Sequence, residues 1–173
     1  HWLGTFSFGY TKMAFEAAEM GNFEKEIFIL PSCNHYSEYA GLRNEMLIKY
    51  GSPISLKPYY DLYKTKPRTA QREVNALVRE QINSLMLNIQ DTENYDAIDA
   101  IRQGEYGISY AKNQNFDPTQ LPQKLESDKK LVAALDAAKE INPDAVQSIY
   151  DRARKIYGDL KKEGIDESAL TQT

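Results

Sequence analysis

A chain of 173 residues, 42% hydrophobic and 27% charged, can build one ordinary domain, or a small domain with a helical appendage, around a hydrophobic core. Its formal net charge of −4 makes no bulk electrostatic case for nucleic acid, and no run approaches the roughly 18 apolar residues that span a bilayer. The single Cys33 excludes an internal disulfide and a cysteine-based zinc site, as suits a reducing cytoplasm, and His1-Trp2-Leu3-Gly4 lacks the basic region and apolar run of a signal peptide. No Met stands at position 1, as in a piece of a longer chain.

Residues 1–60 mix helix and strand signals. Met13, Ala14, Ala17 and Ala18 recur at helical spacing between Tyr10 and Met20, and Gly21-Asn22 is expected to stop that helix in the left-handed region. Ile27-Phe28-Ile29-Leu30 has no polar alternation, which predicts a strand covered on both faces, as in a parallel sheet. Glu45 to Tyr50 is a second strand, closed by Gly51-Ser52-Pro53 and continued by Ile54-Ser55-Leu56. Pro53 has no N–H for a ladder and so predicts a sheet edge or an exit from the sheet.

From about residue 67 the pattern is helical. Thr69 to Gln90 sets Val74, Leu77, Val78, Ile82, Leu85, Met86 and Ile89 on one stripe. Asn94 to Gln103 predicts a shorter helix ended by Gly104 and Gly107, and 113–122 a connector. Gln123 to Ile141 and Pro143 to Glu163 predict an antiparallel helix pair, with Asn142 capping the second member, Pro143 in its first turn, and Gly164 at its end.

The run Gly4-Thr5-Phe6-Ser7-Phe8-Gly9-Tyr10-Thr11-Lys12-Met13-Ala14, followed by Ile27-Phe28-Ile29-Leu30-Pro31-Ser32-Cys33, resembles the second half of the active-site domain of glycerolipid (glycerol-3-phosphate or 1-acylglycerol-3-phosphate) acyltransferases. There a Pro-Glu-Gly motif is followed by a Phe-basic-basic-Gly turn, an Ala-rich helix and a hydrophobic strand ending in Pro. Phe6, Gly9, the helix and Ile27 to Pro31 stand in those places, with Ser7 and Phe8 where the basic residues would be. Pro67 to Asn75 and the helix after it resemble the C-terminal extension of Bacteroidetes-type members. The resemblance implies an α/β fold, here a partial acyltransferase-type sheet with helices, followed by an α-helical region. It implies transfer of an acyl group from acyl-CoA or acyl carrier protein to glycerol phosphate, a lysophospholipid or a related acceptor. It implies no metal and no cofactor beyond that donor, and a cytoplasmic protein peripheral at the inner membrane. The family's His-x-x-x-x-Asp pair is expected upstream of residue 1; five positions after His1 and His35 stand Phe6 and Ala40, so the isolated chain is expected to be inactive. The missing N-terminal portion, or self-association, is expected to complete the sheet.

The remaining candidates carry open alternatives. Gly9 and Lys12, at the start of the first helix, suit an anion held by backbone N–H groups and a cation; a solvated lysine is the plainer reading of Lys12. His35 follows a strand end and has Glu38 nearby, against a structural or surface His, and Cys33 reads as a small buried thiol. Tyr59, Tyr60, Tyr63, Lys64, Lys66 and Arg68 form the one aromatic and basic cluster, which reads as a linker or as a membrane-surface contact. The domains expected are 1–66, the end of the α/β domain; 67–112, amphipathic helices packing on it; and 113–173, a helical hairpin and tail. The reading from another class is a non-catalytic helical module that binds a protein or a membrane surface.

Overall fold

The computed structural model describes residues 2–37 and 45–163, in two compact units: Leu3–Met86, and the chain from Leu87 together with Trp2. The division lies inside the span 67–112 that the sequence groups as amphipathic helices. The chain is mixed, mostly helical with a small antiparallel strand part.

In the first unit, α1 (Gly9–Met20) buries Thr11, Phe15 and Ala18, one face at helical spacing. The Thr11 hydroxyl donates to the Phe8 carbonyl at 2.9 Å and closes the first turn. Gly21 is not the left-handed stop, since its φ is −93°. Asn22 (φ 50°) and Phe23 (φ 58°) take that conformation, and the Phe23 N–H donates to the Ala18 carbonyl at 2.8 Å. A left-handed Phe is uncommon. Here it turns the ring onto Tyr60, at a centroid distance of 5.1 Å.

The strands make one interrupted antiparallel hairpin rather than a parallel sheet. β1 (Phe28–Ile29) pairs with β4 (Ile54–Ser55), and β2 (Ser32–Tyr36) with β3 (Met46–Tyr50). The expectation of a strand covered on both faces is therefore corrected: Phe28 is 53% and Leu30 52% exposed. Antiparallel partners need no crossover helix, the element that covers the second face of a parallel sheet. The continuation after the bend at Gly51-Ser52-Pro53 forms as expected.

A short 3-10 turn (Lys57–Tyr59), α2 (Tyr60–Thr65) and α3 (Pro67–Leu85) complete this unit. Pro67 opens α3, where its missing N–H costs nothing. The core gathers Phe15, Ala18, Ile54, Leu56, Tyr60, Tyr63, Ala70, Val74 and Val78. Phe15 and Tyr63 stack at 4.3 Å between centroids. The buried Tyr60 hydroxyl accepts from the Ile27 N–H at 3.0 Å and donates to the Lys25 carbonyl at 2.8 Å, tying α2 to the start of the hairpin.

Of the expected α3 stripe, Val74, Val78 and Leu85 are buried while Leu77 is 36% exposed, and the helix stops at Leu85, not at Gln90. Met86 is extended (ψ 160°), and Leu87 and Ile89 are buried at period 2. Apolar residues at 85, 86, 87 and 89 satisfy either period, and burial in the second unit selects the extended one.

That second unit contains α4 (Tyr95–Gln103), α5 (Glu105–Asn113), α6 (Leu121–Ile141) and α7 (Pro143–Lys162). α4 packs on α5, α6 and α7, and α6 on α7. Its buried apolar side chains include Ile98, Leu131, Val132, Val146 and Tyr150. The Asn142 side chain accepts from the Ala145 N–H at 3.1 Å, the expected cap on α7. Gly164 and the tail lie outside the described residues. Gly104 ends α4 as expected, whereas Gly107 lies inside α5. A Cβ at 107 would overlap the Arg102 carbonyl and lie 2.9 Å from the Arg102 Cα, so glycine is needed where α5 doubles back on α4. No helix among the described residues is long and apolar enough to cross a membrane.

Gly107→Ala is expected to lower the stability of the second unit by about 2–3 kcal/mol in urea unfolding, because backbone must move. Gly158→Ala on α7 meets nothing within 4 Å and is expected to gain about 0.5–1 kcal/mol. Equal effects of the two substitutions would contradict the close approach at Gly107.

Candidate functional site

The largest exposed apolar surface described in the first unit is the outer face of the hairpin. Ile29 pairs with Ile54 but Ser32 with Tyr50, three steps on one strand against four on the other. The extra residue lies in Gly51-Ser52-Pro53 and makes a β-bulge. Side chains alternate along a strand, so one extra residue reverses the facing of everything beyond it. Met46, Ile48 and Tyr50 consequently point outward while Ile54 and Leu56 are buried. On the first strand Phe28, Leu30 and Tyr36 also point outward.

The six large outward side chains, Phe28, Leu30, Tyr36, Met46, Ile48 and Tyr50, are between 40% and 62% exposed. Ser32, Asn34 and Ser55 complete the face, and none of the nine is charged; the Ser55 hydroxyl donates to the Glu26 carboxylate at 2.6 Å at the end of the face. The inner face carries Cys33, His35, Leu47 and Lys49, half-buried, with α3 against β2 and β4. The Gly51 N–H donates to the Pro31 carbonyl at 2.8 Å and the Ser37 N–H to the Glu45 carbonyl at 3.0 Å. The odd-numbered residues are thus the hydrogen-bonded pairs of this ladder, and the amides of Met46, Ile48 and Tyr50 point away from β2. Each sheet has two strands, so among the described residues no third strand pairs with either edge.

The residues singled out from the sequence stand on separate elements. Gly9 is the first residue of α1 and exposed. Lys12 is exposed and lies 3.6 Å from Glu16, a surface pair of small energetic weight. His35 is half-buried on the inner face opposite Leu47, and Glu38 lies outside the described residues, as do His1 and Ala40. Burial pushes the Cys33 thiol above its usual range, with Lys49 pulling the other way, which leaves a poor nucleophile. Tyr60 and Tyr63 are 5% and 9% exposed and belong to the core, which corrects their assignment to a membrane surface. Tyr59 is half-buried; Lys64, Lys66 and Arg68 are exposed, with Lys64 3.1 Å from Asp61 and 4.8 Å above the Phe23 ring. The sequence reading missed the outer face, because a run such as Met46-Leu47-Ile48 does not reveal which residues turn inward.

The charged clusters of the second unit are ties between helices. Arg154 on α7 donates to both Asp96 carboxylate oxygens, to the Glu93 carbonyl and to Asn94 Oδ1 at 2.9 Å. Lys139 on α6 donates to Asp91 at 2.5 Å, which also accepts from the Asn94 side chain at 2.9 Å. Arg102 and Lys124 both donate to the buried Asp128, Arg102 at 3.1 Å. Tyr150 is wholly buried; burial first, then Asp91 and Asp136, push its hydroxyl above the usual range. Among the described residues no three His, Cys, Asp or Glu side chains group to hold a metal.

Asp96 sits below the usual carboxylate range, chiefly through its hydrogen bonds from Arg154. Burial, the largest single influence on Asp91, raises its pKa, but the hydrogen bonds from Lys139 and Asn94 together outweigh it and Asp91 also sits low. A depressed carboxylate contributes stability that is complete above its unfolded value, about pH 4, and is lost as pH falls through the folded one. The second unit is expected to weaken below about pH 4, and Asp91→Asn to cost about 1–2 kcal/mol at pH 6 and less at pH 2.5. Urea unfolding at the two pH values checks this; an equal loss at both would contradict it.

No family model matches the chain, and neither does any curated protein or solved structure.

Proposed function

We propose that this chain is the non-catalytic C-terminal part of an acyltransferase of the glycerolipid type. The observation that supports the reading is the apolar outer face of the hairpin: one face packs on helices, and among the described residues no second layer covers the other, where an α/β domain would place one. The elements from Gly4 to Pro31 also run in the order the resemblance asks for, turn, helix and strand. In this reading the rest of the domain covers the face and carries the His-x-x-x-x-Asp pair. The His takes the proton of an acceptor hydroxyl as it attacks the thioester carbonyl of acyl-CoA or acyl carrier protein, and the thiol leaves. This chain supplies no base. It closes the sheet, and Lys12 with the start of α1 offers a positive end to an acceptor phosphate on glycerol phosphate or a lysophospholipid. The working location is the cytoplasmic side of a membrane that holds such acceptors.

A second reading is a non-catalytic protein-binding module. It is favoured by the antiparallel pairing of β1 with β4, where the resemblance leads one to expect a parallel strand.

Acyl transfer with acyl-CoA and lysophospholipid separates the two. The 173-residue chain is expected to stay at background, and a polypeptide extended with its upstream coding sequence to transfer acyl groups. Activity in the isolated chain, or an extended polypeptide that carries no His-x-x-x-x-Asp pair, would overturn the acyltransferase reading.

A further inference from the structure

We infer that the outer face of the hairpin is a two-fold interface between copies of this chain when the chain stands alone. The inference goes beyond acyl transfer and does not depend on it. The face has nine outward residues, Phe28, Leu30, Ser32, Asn34, Tyr36, Met46, Ile48, Tyr50 and Ser55, none of them charged; Glu26, whose carboxylate accepts from the Ser55 hydroxyl at 2.6 Å, marks its end. Two copies of a chain with net charge −4 repel one another in general, but this patch can meet itself with no like charges opposed. The absence of Lys and Arg from the face removes the attraction that an anionic lipid or nucleic acid surface would need.

The area is sufficient. Six large side chains roughly half exposed leave about 500 Å² of apolar surface per copy, or about 1,000 Å² across a two-fold contact, the lower bound for a specific interface. The geometry suits sheet-on-sheet packing, in which two twisted ribbons lie about 10 Å apart with their side chains interdigitated. Ser32 and Tyr50 are a directly opposed pair near the middle of the ribbon. A two-fold axis there sets Tyr36 and Met46 of one copy against Phe28 and Leu30 of the other, the self-complementary arrangement of an isologous contact.

Sedimentation velocity over a concentration series tests the inference, with affinity expected in the micromolar range for so small an interface. The wild-type chain is expected to move from monomer to dimer. Ile48→Lys, which places a charge on the face without touching the core, is expected to remain monomeric with an unchanged far-UV circular dichroism spectrum. Ile156→Lys, an exposed apolar position on α7 in the second unit, is expected to dimerise as wild type. As a second measurement, Tyr50→Cys in a Cys33→Ser background is expected to be joined into a dimer by a short bis-maleimide, whose reach suits two side chains that face each other across sheets about 10 Å apart, a gap too wide for a direct disulfide. A wild-type chain that stays monomeric throughout, assembles beyond a dimer, or dimerises equally well as Ile48→Lys would overturn the inference. So would a Tyr50→Cys chain that fails to cross-link at concentrations where the wild type is dimeric.

Discussion

One extra residue on the returning strand determines which apolar side chains the first unit buries. With Gly51, Ser52 and Pro53 set against Leu30 and Pro31, the even-numbered residues of the second strand face outward before the bulge and inward after it. Leu56 and Ile54 thereby reach Phe15, Tyr60 and Val74 in the core, and Met46, Ile48 and Tyr50 are left on the surface. Without the bulge one of the two groups would have to reverse. Pro53 fits the bulge because a residue without an N–H loses least where the ladder is already broken, and a Cβ at Gly51 would displace the end of the Gln81 side chain, which lies against it.

The core behind the hairpin is aromatic. Phe15 from α1, Phe23 from the turn after it and Tyr60 and Tyr63 from α2 interlock, so rings join the start of the unit to a helix that follows the whole hairpin in sequence. The hydroxyl of Tyr60 converts that packing into position, because it satisfies one donor and one acceptor at the mouth of the hairpin that water would otherwise have to reach. The second unit relies on a different device. Asp91, Asn94 and Asp96, at the entry to α4, receive Lys139 from α6 and Arg154 from α7, so charged hydrogen bonds fix the helix ends around a core of ordinary aliphatic contacts.

Much of this was legible in the sequence. The helices α1, α3, α4, α6 and α7 lie where the 3.6-residue periodicity sets them, with Asn142 and Pro143 marking a junction by their capping chemistry, but α1 buries Thr11, Phe15 and Ala18 and leaves Met13 and Ala17 of the expected stripe exposed. The two stretches of strand on each side of Gly51-Ser52-Pro53 were also visible. The pairing of the strands was not, because Ile27 to Leu30 is apolar throughout and composition cannot tell a strand covered on both faces from one with a bare side. Tyr60 and Tyr63 were misplaced for a related reason: tyrosine beside lysine suits a surface or a core, and only the partner Phe15 decides. Gly107 looked like a helix stop, whereas its missing Cβ serves the crossing of two helices. At the candidate site the individual residues could be named, but the outer face depends on the parity of a ladder, which is a property of two strands together.

The cross-strand register is where this account is most exposed. Nuclear Overhauser contacts between Hα protons report the closely spaced, non-hydrogen-bonded pairs of an antiparallel ladder, whose Cα atoms lie about 4.5 Å apart. The account requires such contacts for Ser32 with Tyr50, Asn34 with Ile48 and Tyr36 with Met46, together with Phe28 and Ser55 on the far side of the bulge. A single unbroken register, seen as contacts of Asn34 with Lys49 in place of Ile48, would turn Met46, Ile48 and Tyr50 inward and remove the face on which the functional reading stands.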